Sequence, residues 1–187
     1  MTSAINASLS AATGNDLMQR AQRVKLMIFD VDGVLTDGGL RYGPHGEQIK
    51  TFNVLDGHGI KLLQQAGIQA AIISARSSDI VARRASDLGI AHLMQGVHDK
   101  REGFDQLLAK TGLQASDCGF MGDDVIDLPV MTRVAFAASV PNGHPEVRAR
   151  AHYVAELGGG RGAVREVCDL LLRAQDRYEA ALAPYLA

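Results

Sequence analysis

The chain has 187 residues, 47% of them hydrophobic and 21% charged, and a formal net charge of -2. That is enough for one domain with a sizeable core and too apolar for general disorder. The near-neutral balance gives no basic footprint for nucleic acid or an anionic membrane, so an anionic substrate has to be held by a few local cations.

In chain order, the opening stretch MTSAINASLSAATGND is small and polar. It lacks a basic leader followed by an apolar segment, and reads as a frayed terminus rather than a signal peptide. Residues 1–24 form an extension with a short helix around Leu17 to Val24. No run approaches the roughly 20 apolar residues of a membrane-spanning helix. The two cysteines, Cys118 and Cys168, show no C-x-x-C spacing and read as buried thiols in a reducing compartment. The expectation is a cytoplasmic protein.

From Lys25 onward, near-continuous apolar runs alternate with amphipathic segments. The runs KLMIFDV, QAAIIS, AHLM, CGFMG and RVAFAA lack the alternation of half-exposed strands and read as strands buried on both faces. Between them, HGIKLLQQAG, SDIVARRASDLG, KREGFDQLLAKTG, DLPVM and HPEVRAR read as helices, several ending at a glycine. GAVREVCDLLLRAQDRYEAAL reads as one long final helix. The pattern predicts a doubly wound, mostly parallel, Rossmann-like α/β sheet with helices on both faces. One segment interrupts it: LRYGPHGEQIKTFNV has a Gly-Pro-His-Gly centre between strand-like flanks and reads as a β-hairpin inserted after the first strand, over residues 38–54. It would project over the C-terminal edge of the sheet, where open α/β folds bind ligands.

That edge also collects the acids. Asp30 and Asp32 close the first strand, where alternation puts both side chains on the same side of the backbone, near enough to share a cation. A calcium loop is excluded, because its glycine position would be Leu35 and its bidentate glutamate Arg41. A second cluster, Asp123, Asp124 and Asp127, follows the strand CGFM, and parallel strands bring both clusters to one edge. Two carboxylates, a carbonyl and waters form an oxygen-rich, incomplete shell that suits Mg²⁺. Ser74 and Arg76 end the strand QAAIIS, and Lys100 opens a helix. A hydroxyl, a backbone N–H and an ammonium converging there are what a phosphoryl group needs. Taken singly, Ser74, Asp123 and Asp124 also fit helix caps, and Lys100 a solvated surface lysine. Their common placement at strand ends is what favours a site. Asp37 has a structural reading only, at the turn where the hairpin begins.

With these residues in view, the chain resembles the haloacid dehalogenase superfamily phosphatases. Asp30-Val31-Asp32-Gly33-Val34-Leu35-Thr36-Asp37 matches the nucleophile motif, Ser74 the second motif, Lys100 the third and Gly122-Asp123-Asp124-Val125-Ile126-Asp127 the fourth, in the family's order. FNVLDGHGIKLL and GGGRGAVREVCDLLLRAQ are further similar to the 3-deoxy-D-manno-octulosonate 8-phosphate phosphatases of lipopolysaccharide precursor biosynthesis. Ser-Ala-Arg stands where that family more often has Thr-Gly-Arg, which keeps the hydroxyl.

The resemblance implies a phosphatase domain over residues 25–175 without a separate cap domain, a tail over 176–187, and a homotetramer whose hairpins and glycine-rich segments cover neighbouring active sites. It implies Asp30 as nucleophile and Asp32 as general acid and base. Mg²⁺ would be held by the Asp30 carboxylate, the Asp32 carbonyl and Asp123. Asp127 would orient Lys100, and Asp124 is either a metal neighbour or a helix-start residue. The substrate's carboxylate needs a partner of its own, and Arg76 and Arg84 are candidates because a guanidinium offers a paired donor fork. Arg161, inside GGGRGAV, is a third, on a segment whose glycines would give it the mobility to reach a neighbouring subunit. Three alternatives stand beside this reading: a phosphatase of a nine-carbon keto-sugar acid phosphate, a phosphoacceptor signalling domain, and a silent oligomerisation module. The D-x-D order fits the second poorly, and the filled catalytic positions argue against the third.

Overall fold

The computed structural model describes residues 14–186 and, within them, all side chains but those of Glu47 and Gln48. Residues 1–13, and the frayed terminus expected there, lie outside the described residues. A helix α1 (residues 14–22) leads into β1 (Leu26–Phe29). A hairpin of β2 (Arg41–Gly43) and β3 (Gly46–Ile49) follows, then α2 (Val54–Gln65), β4 (Gln69–Ile73), α3 (Asp79–Leu88) and β5 (His92–Met94). The second half runs α4 (Lys100–Thr111), β6 (Cys118–Met121), α5 (Leu128–Met131), β7 (Phe136–Ser139), α6 (Pro145–Arg148), β8 (Tyr153–Val154), α7 (Ala163–Ala174) and α8 (Tyr178–Leu186).

The main sheet has the order β5-β4-β1-β6-β7-β8, and all its pairings are parallel. This is the doubly wound α/β architecture that the apolar runs predict. Alternation within β1 shows why each run is apolar throughout. Met27 and Phe29 face one core with residues of α2, α3 and α7, while Leu26 and Ile28 face a second core with Phe104, Leu107, Val130 and Val147. Each such side chain, once fully buried, contributes about 1.5–3 kcal/mol. The strand order reverses between β1 and β6, which defines the crevice at their C-terminal ends.

Three features differ from the sequence pattern. The strand Tyr153–Val154 has only two residues, too few to show any periodicity. α2 begins at Val54, because Asn53 caps it by accepting from the Leu55 N–H at 2.8 Å; Phe52 to Val54 therefore do not extend the hairpin. The long final helix is two helices, broken at Asp176, whose φ of 55° lies in the left-handed region.

α7 starts at Gly162, which has no side chain to cap it. Asp56 of α2 supplies the missing acceptor: Oδ1 accepts from the Arg165 N–H at 2.9 Å and Oδ2 from the Gly162 N–H at 3.3 Å. Burial raises the Asp56 carboxyl above its ordinary range, and those backbone donors pull it part of the way back. One helix thus caps its neighbour.

Candidate active site

Asp30 leaves β1 at the crevice, its N–H donating to the Met121 carbonyl at 3.0 Å as the last rung of the β1–β6 ladder. The chain then makes a single wide turn over Val31–Leu35, closed by the Thr36 N–H on the Val31 carbonyl at 3.0 Å. Gly33 takes φ +97° inside that turn, and a Cβ there would run into the Asp123 carboxylate. The glycine-rich segment packs against the same turn within the same chain. The Gly160 N–H donates to the Val34 carbonyl at 2.9 Å, and a Cβ on Gly159 would overlap the Gly33 carbonyl. These glycines serve close backbone approach, where the sequence had suggested tail mobility.

Lys100, the first residue of α4, is completely buried and spans two acids. Its Nζ lies 2.5 Å from Asp30 Oδ1 and 2.5 Å from Asp127 Oδ1. Burial alone would lower its proton affinity, but Asp30 and Asp127 more than offset this and raise it above the ordinary lysine value. It is a buried ion-pair lysine, not a solvated one, and the caps of α3 and α4 are Ser78 and Asp99, leaving Ser74 and Lys100 uncommitted to capping. Asp127 is fully engaged: its other oxygen accepts from the Asp123 N–H at 2.9 Å and the Asp124 N–H at 3.1 Å. Asp124 is exposed and accepts from the Val125 N–H at 2.7 Å, so of its two sequence readings the helix-start role is the one seen.

Asp30, Asp123 and Asp127 offer carboxylate oxygens within 4.8 Å of one another. Burial first, then the charge of Asp127, pushes Asp30 up to about 7 against the pull of Lys100. Burial and the charges of Asp30, Asp127 and Asp124 push Asp123 up to about 7 as well. Asp123 Oδ1 is buried without a hydrogen-bond partner. A buried, unpartnered carboxylate oxygen beside two further carboxylates and one ammonium is short of positive charge, which a hard divalent cation supplies. Because both oxygens of Asp127 are taken, Asp30 and Asp123 are the carboxylates left to bind it. The donor set fits Mg²⁺.

Asp32 lies within the turn rather than on the strand, and its carboxylate is not one of those three. Strand alternation therefore does not bring the Asp30 and Asp32 side chains to one cation. Asp32 instead pairs with Lys50 through Oδ1, while Arg76 Nε stands 3.5 Å from Oδ2. Arg76 Nη2 in turn donates to the Tyr42 hydroxyl of the hairpin at 2.9 Å. Ser74, buried at the end of β4, accepts from the Arg76 N–H at 3.3 Å. Arg84 is placed elsewhere: its Nη2 donates to the Asn53 carbonyl at 3.3 Å and its guanidinium stacks 5.6 Å from the Phe52 ring centroid. Arg161 is exposed on the rim, lining a cleft with Asp37, Pro141, Asn142, Gly158 and Gly159. Asp37 accepts from the Gly39 N–H at 3.0 Å, the turn role expected of it. Lys50 is the residue that sequence reasoning missed. It sits in a polar hairpin with no motif around it, and only the fold turns it inward.

The chain's residues 64–158 match the family model of the haloacid dehalogenase-like hydrolases. The chain is 47% identical, over 89% of its own length and 89% of the relative's, to the 3-deoxy-D-manno-octulosonate 8-phosphate phosphatase of Yersinia pestis. Its fold superposes with a TM-score of 0.90 on a phosphatase of the YrbI family from Pseudomonas syringae, at 50% identity, covering 92% of this chain and 98% of that one. The corresponding values for the 3-deoxy-D-manno-octulosonate 8-phosphate phosphatase of Moraxella catarrhalis, solved with magnesium, phosphate and the sugar acid, are 0.89, 44%, 91% and 98%.

Proposed function

Because the chain belongs to the haloacid dehalogenase-like hydrolases and, within them, to the 3-deoxy-D-manno-octulosonate 8-phosphate phosphatases, we propose that it is a Mg²⁺-dependent phosphomonoesterase acting on that sugar phosphate. It releases 3-deoxy-D-manno-octulosonate and inorganic phosphate, a step toward lipopolysaccharide precursors. One observation carries the reading: a buried lysine between Asp30 and Asp127, beside an unpartnered Asp123 oxygen, at the switch point of a parallel sheet.

In the first step an Asp30 carboxylate oxygen bonds to phosphorus as the bond from phosphorus to the sugar oxygen breaks, and Asp32 gives that oxygen a proton. In the second, water attacks the aspartyl-phosphate, Asp32 takes the water's proton, and Asp30 is regenerated. Lys100 and Ser74 hold the phosphoryl oxygens, and Asp127 keeps Lys100 in place. Asp30, Asp123 and the Asp32 carbonyl would hold Mg²⁺, which when bound would supply the positive charge that lets a carboxylate approach an anionic phosphate. For the substrate's own carboxylate Arg76, Arg84 and Arg161 are the candidates: Arg76 lies beside Asp32, Arg84 contacts the Asn53 carbonyl and the Phe52 ring, and Arg161 lines an exposed cleft with Asp37.

We read the assembly as a homotetramer in which neighbouring hairpins help to close each site. The exposed apolar side chains of Leu40, Tyr42, Ile49, Val54 and Leu55, along the hairpin and the start of α2, support an interface there. No described helix is long and apolar enough to cross a membrane. We read the protein as a cytoplasmic enzyme acting on a small molecule, without a nucleic-acid or membrane partner. The decisive experiment compares kcat/KM with Mg²⁺ across a panel of sugar phosphates. The eight-carbon keto-sugar acid phosphate is expected to lead, and preference for its nine-carbon counterpart would reassign the substrate.

A further inference from the structure

We propose that Lys50 of the hairpin is a positioning residue for Asp32, holding its carboxyl group against the leaving oxygen of the substrate. The inference rests on the phosphatase reading above and assigns a role to a residue outside the four motifs that support that reading.

The hairpin is exposed nearly throughout. Leu40, Arg41, Tyr42, Pro44, His45, Gly46 and Ile49 all face solvent, and Lys50 at the end of β3 is the buried residue among those described there, with a side chain 1% exposed. A segment that merely had to dock on the body would bury an apolar side chain at that point. Burying an ammonium is costly unless a charge and hydrogen bonds compensate it, and here the Asp32 Oδ1 carboxylate does so.

The two carboxylates of the D-x-D motif thus have separate cations. Asp30 has Lys100 from α4, which also grips Asp127 and is fixed by the core. Asp32 has Lys50 from the hairpin, with Arg76 Nε at 3.5 Å on its other oxygen. Arg76 is itself tied to the hairpin through the Tyr42 hydroxyl. Both oxygens of Asp32 are therefore oriented by groups belonging to, or attached to, one hairpin. Asp32 sits within the Val31–Leu35 turn with 19% of its side chain exposed, and its carboxylate pairs with these two cations. A general acid must present its proton within hydrogen-bond reach of the departing oxygen. The hairpin lysine fixes that geometry, and so ties the hairpin's placement on the body to proton transfer.

A positioning role and a docking role differ in which substrate feels their loss. The value of kcat/KM reports the steps up to release of the first product, here cleavage of the ester bond. A sugar alkoxide needs a proton to leave, whereas p-nitrophenolate leaves without one. Lys50→Met keeps the buried stem and removes the charge, and Arg76 still attends Asp32, so the carboxylate is not abandoned. Lys50→Arg keeps a cation at the same position.

With Mg²⁺ present, Lys50→Met is expected to lower kcat/KM for the sugar phosphate about 100-fold, and for p-nitrophenyl phosphate by less than about tenfold. Lys50→Arg should recover part of that difference, which also keeps the test informative should Lys50→Met fold poorly. Equal losses on both substrates in the folded variants, or no loss on either, would overturn the assignment and leave the phosphatase reading intact. A wild-type chain that releases phosphate from neither substrate would overturn the phosphatase reading and Lys50's role with it.

Discussion

Asp127→Asn separates the two jobs that Asp127 performs. The carboxylate pairs with Lys100 at 2.5 Å through one oxygen and accepts two backbone N–H groups, from Asp123 and Asp124, through the other. The residue is completely buried, as is Lys100. An asparagine placed with its carbonyl toward the two N–H groups keeps the turn, but then turns an NH₂ toward the ammonium. Breaking a buried ion pair by removing one partner costs about 3–5 kcal/mol, and Asp30 remains beside Lys100, so the lower end applies, about 3 kcal/mol. For a domain of this size each kcal/mol moves Tm by about 2–4 °C, which gives a fall of about 6–12 °C. Asp127→Ala should fall further, because it also strips the acceptor from two N–H groups at about 1–3 kcal/mol each. Thermal melts followed by circular dichroism at fixed Mg²⁺ measure both, and phosphate release measures the accompanying loss of phosphoryl binding by a misplaced Lys100. A Tm for Asp127→Asn within about 2 °C of wild type, with turnover unchanged, would refute the view that Asp127 anchors Lys100.

Asp30→Asn should abolish Mg²⁺-dependent phosphate release while the protein remains folded, checked by coupled phosphate assay and melting curve; retained turnover would remove Asp30 from the nucleophile role. The metal-free protein should lose stability as pH rises from the unfolded carboxyl value of 3.8 to about 7, because across that window the unfolded chain ionises Asp30 and Asp123 while the folded chain keeps them protonated. Mg²⁺ should therefore raise Tm more at pH 8 than at pH 5, and melts with Mg²⁺ or chelator test this directly. Gly33→Ala places a Cβ at φ +97° and against the Asp123 carboxylate. The strain costs about 1–2 kcal/mol, and displacement of Asp123 should weaken Mg²⁺ binding, read as a higher Mg²⁺ concentration for half-maximal activity.

Much of this molecule follows from local sequence. The strands buried on both faces must be apolar throughout, so β1, β4, β6 and β7 stand out as runs, whereas the edge strand β5, which also reads as such a run, is only half-buried; the motifs end up together because parallel strands share one C-terminal edge. Sequence order alone therefore sets Asp30, Ser74, Lys100 and Asp123 around a single crevice. The two-residue β8 and the break between α7 and α8 at Asp176 carry no comparable local signal, since neither depends on a periodicity that a sequence window can register.

What the sequence could not decide were pairings between segments that meet only after folding. Asp56 looks like an ordinary helix residue until α7 arrives with a glycine at its start. Arg84 shows no partner in the sequence, and the fold sets it against the Asn53 carbonyl and the Phe52 ring; the triple glycine reads as mobile until the Gly33 turn is seen to need that close a neighbour. Lys50 is the sharpest case. A lysine in a polar hairpin is by itself a solvated charge, and only the fold-back of the hairpin onto Asp32 converts it into a buried partner of the site. Composition and periodicity report which side chains avoid water; which charge meets which is decided by the tertiary path of the chain, because Coulomb attraction and desolvation depend on distances that sequence spacing does not encode.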